Sequence, residues 1–236
     1  MNVRGCVTVL VSFEREIEVF LHRLKDVRFD RTGKQSFFRG DLHGLEVLVS
    51  VTGSGRSHLE ESLLEGSRIV VSAGICGAMA PTLSCGDIVT ADRVYFLDTA
   101  AGETAVSGLA PGTLQYHDIP ESRVAFDILT QKHGSVQINV VHAATVTVEK
   151  PILHPEEKSK VREKTGVVSV DMEDFFRCAL IRRLGIPFVS IRAVYDDAFC
   201  DAELLYYRLD SRRLSIAAES IANSIWAVVR GAGNFA

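Results

Sequence analysis

A three-layer α/β domain, with helices on both faces of a central mixed, largely parallel sheet, is predicted by three observations. Apolar runs of strand length alternate with stretches of helical periodicity. Apolar residues make up 47% of the chain against 24% charged, the balance of a globular protein with a substantial core. No Pro/Ser-rich linker, repeat or low-complexity tract divides the sequence, so residues 1–236 read as one domain. Strands of a parallel sheet are covered on both faces and read as continuous apolar runs, and the alternation supplies the covering helices.

The elements follow in order. Cys6–Ser12 is a buried strand, too short and too soon followed by Glu14-Arg-Glu16 to be a signal peptide. Phe13, Ile17, Phe20 and Leu24 then recur at helical spacing, predicting a helix over Glu14–Leu24. Strand Leu45–Val51 precedes a helix over Ser57–Leu64, and strands Arg68–Ala73, Asp87–Phe96 and Val136–Val141 come next. Strand Val167–Val170 runs into helix Met172–Leu184, which Gly185-Ile-Pro187 stops, and strand Pro187–Val194 follows. The closing helix, Leu214–Val229, comes nearest to a membrane span, but Glu219, Ser220, Asn223 and Ser224 give it a polar face. Packing against the domain is its first reading, resting on a membrane surface its second. Asp98–Pro120 and Ala198–Leu209, rich in small, aromatic and polar residues, read as lids or partner contacts.

Composition excludes several functions. A net charge of −4, with Lys and Arg scattered among acids, lacks the footprint of a nucleic-acid binder. Five widely spaced cysteines without a CxxC pair suit reduced thiols in a cytoplasm. The seven histidines show no metal-ligand spacing and there is no GxSxG elbow, so neither a metal site nor a serine nucleophile is expected, and no cofactor is indicated.

What chemistry the chain does carry gathers at strand ends, where α/β proteins build their sites. Val168-Ser-Val-Asp-Met-Glu-Asp-Phe-Phe176 places three carboxylates at a strand-to-helix junction. Asp171 suits a helix cap, while Glu173 is placed to face a pocket. Glu16 borders the apolar stripe of its helix, where a carboxylate has a raised pKa and suits a general base. Asp196 ends the run Ile191-Arg-Ala-Val-Tyr; it is either a turn cap or a site acid. Gly53-Ser-Gly55 lacks the full dinucleotide fingerprint and the phosphate-loop lysine, and a tight turn explains it better. Gly74-Ile-Cys-Gly77 would let a ligand approach the backbone, or simply make a strand-to-loop turn.

Together, Ser12-Phe-Glu-Arg-Glu16, Thr52-Gly-Ser-Gly-Arg56, the run from Gly74-Ile-Cys-Gly-Ala78 to Val89, Val170-Asp-Met-Glu173 and Pro187-Phe-Val-Ser-Ile-Arg-Ala-Val-Tyr-Asp196 form an ordered series. The chain thereby resembles the nucleoside phosphorylase and nucleosidase superfamily, the family of methylthioadenosine/S-adenosylhomocysteine nucleosidase. Val148-Glu-Lys-Pro-Ile152, Glu157-Lys158, Thr165-Gly166 and Val170–Asp174 are most similar to the hopanoid-associated group, which is assigned to removal of adenine from adenosylhopane. Asp174-Phe175-Phe176 stands where that group has small residues, and Tyr195 where the family has serine.

The resemblance implies a nucleosidase that releases adenine from a small-molecule nucleoside. In that reading Asp196 serves N7 of the base, Glu16 activates water, Glu173 binds the ribose hydroxyls and Met172 packs against the sugar. Gly74, Cys76, Gly77, Val148 and Arg192 complete the expected substrate site. Phosphorylases of the superfamily bind phosphate with an arginine just before the first glycine of the Gly74 loop and a serine just after it; here those positions hold Ser72 and Ile75, which favours water, with Arg56 as the other available cation. A homodimer is implied, with Asp98–Pro120 as the loop that reaches a neighbour's site. A hopanoid substrate would bring Phe175, Tyr206, Tyr207 and the last helix into contact with its large apolar group and allow association with a membrane surface. The rival readings are a methylthioadenosine nucleosidase, a futalosine hydrolase, a true phosphorylase and a catalytically silent nucleoside-binding protein.

Overall fold

In a computed structural model that describes residues 5–32, 35–56, 59–99, 114–132, 138–203, 205 and 210–232, ten strands form a single sheet of mixed direction. Strand β1 (Cys6–Val11) sends Val7, Val9 and Val11 to one core and Leu10 to another, so both of its faces are covered. It lies parallel between β4 (Leu45–Val51) and β5 (Ser67–Ala78), with Val9 opposite Val49 and Val71. The exposed β2 (Lys25–Thr32) and β3 (Gln35–Leu42) extend this side as an antiparallel hairpin on β4.

On its other side β5 closes a ring. It pairs parallel with β10 (Phe188–Asp196), which runs antiparallel to β6 (Ile88–Leu97). β6 pairs parallel with β8 (Val140–Val148), and β8 with β9 (Ser169–Asp171). β9 returns antiparallel to β5 through Gly77–Val170 and Ala78–Ser169. The short β7 (Gln115–Asp118) borders β6.

Helices cover both faces. On one, α1 (Glu18–Leu21), α2 (Glu121–Lys132) and α5 (Ser211–Arg230) share a core with β1 and β5. In α5, Ala217, Ile221, Ile225 and Val228 recur at helical spacing, all buried, and the Asp210 carboxylate accepts from Arg213 N–H to cap the start. Each buried Ile or Val side chain there contributes about 1.5–3 kcal/mol. On the other face α4 (Asp174–Arg183) buries Phe175, Cys178 and Ile181. Helix α3 (Pro155–Thr165) has proline in its first turn and Gly166 at φ 75° beyond its end, and it buries Val161 against β8 and β9.

Several expected elements differ. The helix expected over Glu14–Leu24 is a 3₁₀ turn, Glu14–Glu16, and the single turn α1, because the Glu16 carboxylate folds back onto the backbone before it and the chain must enter β2 at Lys25. Of the helix expected over Ser57–Leu64, the described part ends in a 3₁₀ turn at Glu61–Leu64, tied by Leu63 N–H to the Glu60 carbonyl (3.1 Å). β5 does not end at Ala73. It continues through Gly74–Gly77 because β10 pairs along that whole stretch and β9 takes its far end. Gly53 and Gly55 have φ 82° and 76°, so Gly53-Ser-Gly55 is indeed a glycine turn. Residues 100–113 of the expected partner loop, and Tyr206 and Tyr207, lie outside the described residues.

Candidate active site

The ends of β1, β5, β9 and β10 converge on a cavity of about 400 Å³. Glu16, Cys76, Gly77, Val148, Met172, Glu173 and Asp196 line it. Gly74 and Arg192 do not: both sit one layer behind, where a Cβ on Gly74 would lie 2.7 Å from Arg192 Nη1 and 3.0 Å from Glu16 Oε1. Residue 74 therefore has no side chain because two polar groups occupy that space.

Glu16 is 1% exposed. Its Oε2 accepts from Ser12 N–H (3.0 Å) and Phe13 N–H (2.9 Å), and its Oε1 from Ile75 N–H (2.9 Å). Burial nevertheless pushes its pKa above the ordinary glutamate range, with the backbone donors only partly opposing.

At the β9–α4 junction three acids have three separate tasks. Asp171 Oδ1 accepts from Thr147 Oγ1 (2.7 Å) and from the N–H groups of Glu173 (2.9 Å) and Asp174 (3.0 Å), which caps the helix start. Its Oδ2 is buried without a hydrogen-bond partner, and burial with Asp174 nearby lifts its pKa to about 7. Glu173 turns to the cavity, where its Oε1 accepts from Ser54 Oγ (2.6 Å) and Gly55 N–H (3.2 Å) and its Oε2 from Arg192 Nη1 (3.3 Å). The glycine turn thus holds a cavity carboxylate. Ser54 Oγ also reaches Met172 Sδ at 3.7 Å.

Asp174 points inward, wholly buried, accepting from Ser72 Oγ (2.6 Å), Ser190 Oγ and Arg192. Burial alone would raise its pKa, but Arg192 and the two hydroxyls hold it below the usual aspartate value. A second buried cation, Arg177, donates to Ser72 Oγ (2.9 Å), Thr52 Oγ1 (2.8 Å) and Ser12 Oγ (3.2 Å). Ser72 therefore belongs to a sealed polar network. Phe175 does not reach the cavity; it packs on Phe96, His117 and Phe176 in the second core, so it cannot line an apolar substrate channel there. Arg56 is exposed, pairs with Glu149 (3.0 Å) and lies over the Phe176 ring at 4.6 Å, and it does not line the cavity.

Asp196, at the last position of β10, has its carboxyl against Gly77, and burial raises its pKa despite a counter-charge. That counter-charge is Lys158 of α3, which donates to Asp196 Oδ2 and to the Asp197 carbonyl (3.1 Å). Glu157-Lys158 stands among the motifs, but nothing in that dipeptide places the lysine in the site. In the charged run Pro155–Thr165 the apolar Val161 is the one mark of a buried face, and Lys158 lies one turn before it. Pro151, Ile152, Leu153, Ala202 and Leu205 make an apolar wall, of which only Pro151 and Ile152 stand in a motif. A second recess of about 430 Å³ shares Phe13, Glu16 and Ile75 with the cavity and reaches Leu214 of α5. Among the described residues no group of three or more His, Cys, Asp or Glu is placed to hold a metal ion, and no helix is long and apolar enough to cross a membrane.

Over residues 7–230 the chain matches the phosphorylase superfamily, and it belongs to that family. It is 23% identical over 209 residues to the 5′-methylthioadenosine/S-adenosylhomocysteine nucleosidase of Listeria monocytogenes, covering 85% of this chain and 90% of that one. The fold is shared with the nucleosidase of the same name from Neisseria meningitidis, solved with methylthio-immucillin-A (TM-score 0.76, 21% identity, 96% and 99% of the two chains). It is shared equally with the futalosine hydrolase of Helicobacter pylori (TM-score 0.79, 18% identity, 98% and 100%).

Proposed function

We propose that the protein is a purine nucleosidase, which hydrolyses the N-glycosidic bond of an adenosine-type nucleoside and releases adenine. The observation that carries this reading is the charge of the cavity. Among the described residues its charged lining groups are Glu16, Asp171, Glu173 and Asp196, all carboxyls. A phosphate dianion would meet four acids and no cation there, whereas a ribose acquiring positive charge would be stabilised. Ser72 is sealed into the Asp174–Arg192–Arg177 network and Ile75 offers no hydroxyl, so the nucleophile is water.

The chemistry follows the placement of the groups. Glu16 sits at the Gly74–Ile75 end of the segment and Asp196 at Gly77, three extended residues apart, on the order of 10 Å. That span accommodates a water, the anomeric carbon and a purine ring. As C1′–N9 breaks, its electron pair moves to the base and Asp196 gives its proton to N7. Water adds to C1′ and its proton goes to Glu16, while Glu173 accepts hydrogen bonds from the ribose hydroxyls and Met172 packs on the sugar.

The finer reading is conversion of adenosylhopane to ribosylhopane in hopanoid biosynthesis by a homodimer that works at a membrane surface. It is supported by the likeness of residues 148–174 to the hopanoid-associated group and by the apolar wall that Pro151, Ile152, Leu153, Ala202 and Leu205 give the cavity. The purified protein is to be incubated with adenosine, methylthioadenosine and adenosylhopane, each with and without phosphate. Adenine and the free sugar are expected regardless of phosphate, with adenosylhopane preferred. Strict phosphate dependence with a sugar-1-phosphate product overturns hydrolysis, and preference for methylthioadenosine overturns the hopanoid assignment.

A further inference from the structure

The side chain of Lys158 is 1% exposed, and a cation this deeply buried is costly unless it is paired. Its carboxylate partner is Asp196, which lines the cavity, while Lys158 itself does not. The other charges around the pair are engaged elsewhere. Asp197, next along the chain, accepts from Arg213 Nη2 of α5 at its Oδ2 (3.0 Å) and from Cys85 N–H at its Oδ1 (3.2 Å). His154 and Asp201 face one another at 3.4 Å. Asp171 is occupied at the α4 cap, and burial pushes the thiol of Cys76, on β5, far up and keeps it neutral. On α3 itself, Glu156, Glu157, Lys160 and Arg162 complete the surrounding charges. The ammonium charge of Lys158 is thus committed to Asp196, with the Asp197 carbonyl fixing its direction.

We infer that Lys158 is a positioning residue for Asp196: from behind the carboxyl, out of the substrate's reach, its ammonium group holds the acid against the purine and stabilises the carboxylate left when the proton has gone to N7. This rests on the nucleosidase reading above. In the step, Asp196 loses its proton to the base as the C1′–N9 electron pair leaves, and Lys158 neither gains nor loses one. Negative charge appears directly against Nζ, so the interaction is stronger after proton transfer than before it, which is the condition for lowering a barrier. Lys158 is also the largest influence opposing the rise that burial imposes on Asp196.

The test compares the wild-type protein with Lys158→Met and Lys158→Gln, measuring phosphate-independent adenine release across pH, with folding checked by thermal melting and binding checked with adenine. Removing the ammonium raises the pKa of Asp196 further, so the acid stays protonated to higher pH but is a weaker donor. The alkaline limb of kcat/KM is expected to move up by about 1–2 pH units. kcat is expected to fall by roughly 10–100-fold with KM nearly unchanged, the mark of an interaction made in the transition state. If the methionine variant does not fold, the glutamine variant, which can still hydrogen-bond, carries the same pH test. A folded variant with the wild-type alkaline limb, or with raised KM and wild-type kcat, overturns the assignment of Lys158 alone. A wild-type protein that releases adenine from no nucleoside overturns the nucleosidase reading, and this inference with it.

Discussion

Glu16 and Asp196 are both carboxyls lifted by burial, yet hydrolysis asks opposite protonation states of them. As a base, Glu16 works only when ionised, so activity falls as pH drops through its raised pKa. As an acid, Asp196 works only when protonated, so activity falls as pH rises through its own. A bell-shaped kcat/KM profile is expected, with its acid limb displaced upward from the ordinary glutamate range. Glu16→Gln should flatten that limb, and Asp196→Asn should remove the alkaline one. Each should lower kcat by about 10²–10⁴-fold while adenine still binds, as measured by calorimetry. Loss of binding together with kcat would mean that these groups hold the purine instead of moving protons.

At the scale of elements, the site depends on how β5 carries Gly74. Its bare α-carbon admits both Glu16 Oε1 and Arg192 Nη1, so Gly74→Ala places a methyl group 3.0 Å from one and 2.7 Å from the other. β10 pairs with the strand at Gly74 itself and holds its backbone in place, so the two side chains must move. We expect a folded protein with kcat reduced at least tenfold, since misplacing a base by about 1 Å costs up to 10²-fold; a wild-type kcat in this variant would show that Glu16 need not be fixed. This consequence is invisible in Gly74-Ile-Cys-Gly77 as letters, because a glycine at a turn and a glycine under two crossing side chains look alike. The β9–α4 junction is the opposite case. Acids at a strand-to-helix change announce a cap, the helix is where periodicity put it, and Asp171 at the cap and Glu173 at the cavity stand as the sequence suggests, although only contacts mark Asp174 as the buried counter-ion.

For the molecule as a whole, Asp174, Arg192 and Arg177 tie α4 to β1, β5 and β10 through the hydroxyls of Ser72, Ser190, Ser12 and Thr52. Asp174→Asn would leave the fully buried Arg192 without its nearest charge, and breaking such a pair costs about 3–5 kcal/mol. A clear drop in melting temperature is expected at neutral pH; an unchanged value would mean that Glu173 and Asp171 suffice for Arg192. Because Asp174 is held below its unfolded pKa, its contribution is complete above about pH 4 and is lost as pH falls through the folded value. The difference between wild type and variant should therefore shrink in acid.

Much of this was legible in advance. Continuous apolar runs located β1, β4, β5 and β10 because strands covered on both faces have to be apolar throughout, and the acids at strand ends located the cavity because an α/β sheet leaves space there. The hairpin β2–β3 is not read from the sequence because its outer strand is exposed along its whole length and has only Val27 and Phe29 as apolar residues, too few to mark a strand. The proline start and glycine stop of α3 were written in the chain, but its burial of a lysine was not. Sequence by itself determined the class of fold, because apolar periodicity follows from which faces are covered, and the family, through the resemblance that its ordered motifs carry; that resemblance also pointed to the acids at the strand ends. Only the tertiary structure decided that Gly74 and Arg192 stand behind the cavity, that Ser72 is sealed beneath it, and that Lys158 sits against Asp196. Those facts depend on which side chains from distant segments fall within a few ångströms of one another, and local pattern carries no information about that distance.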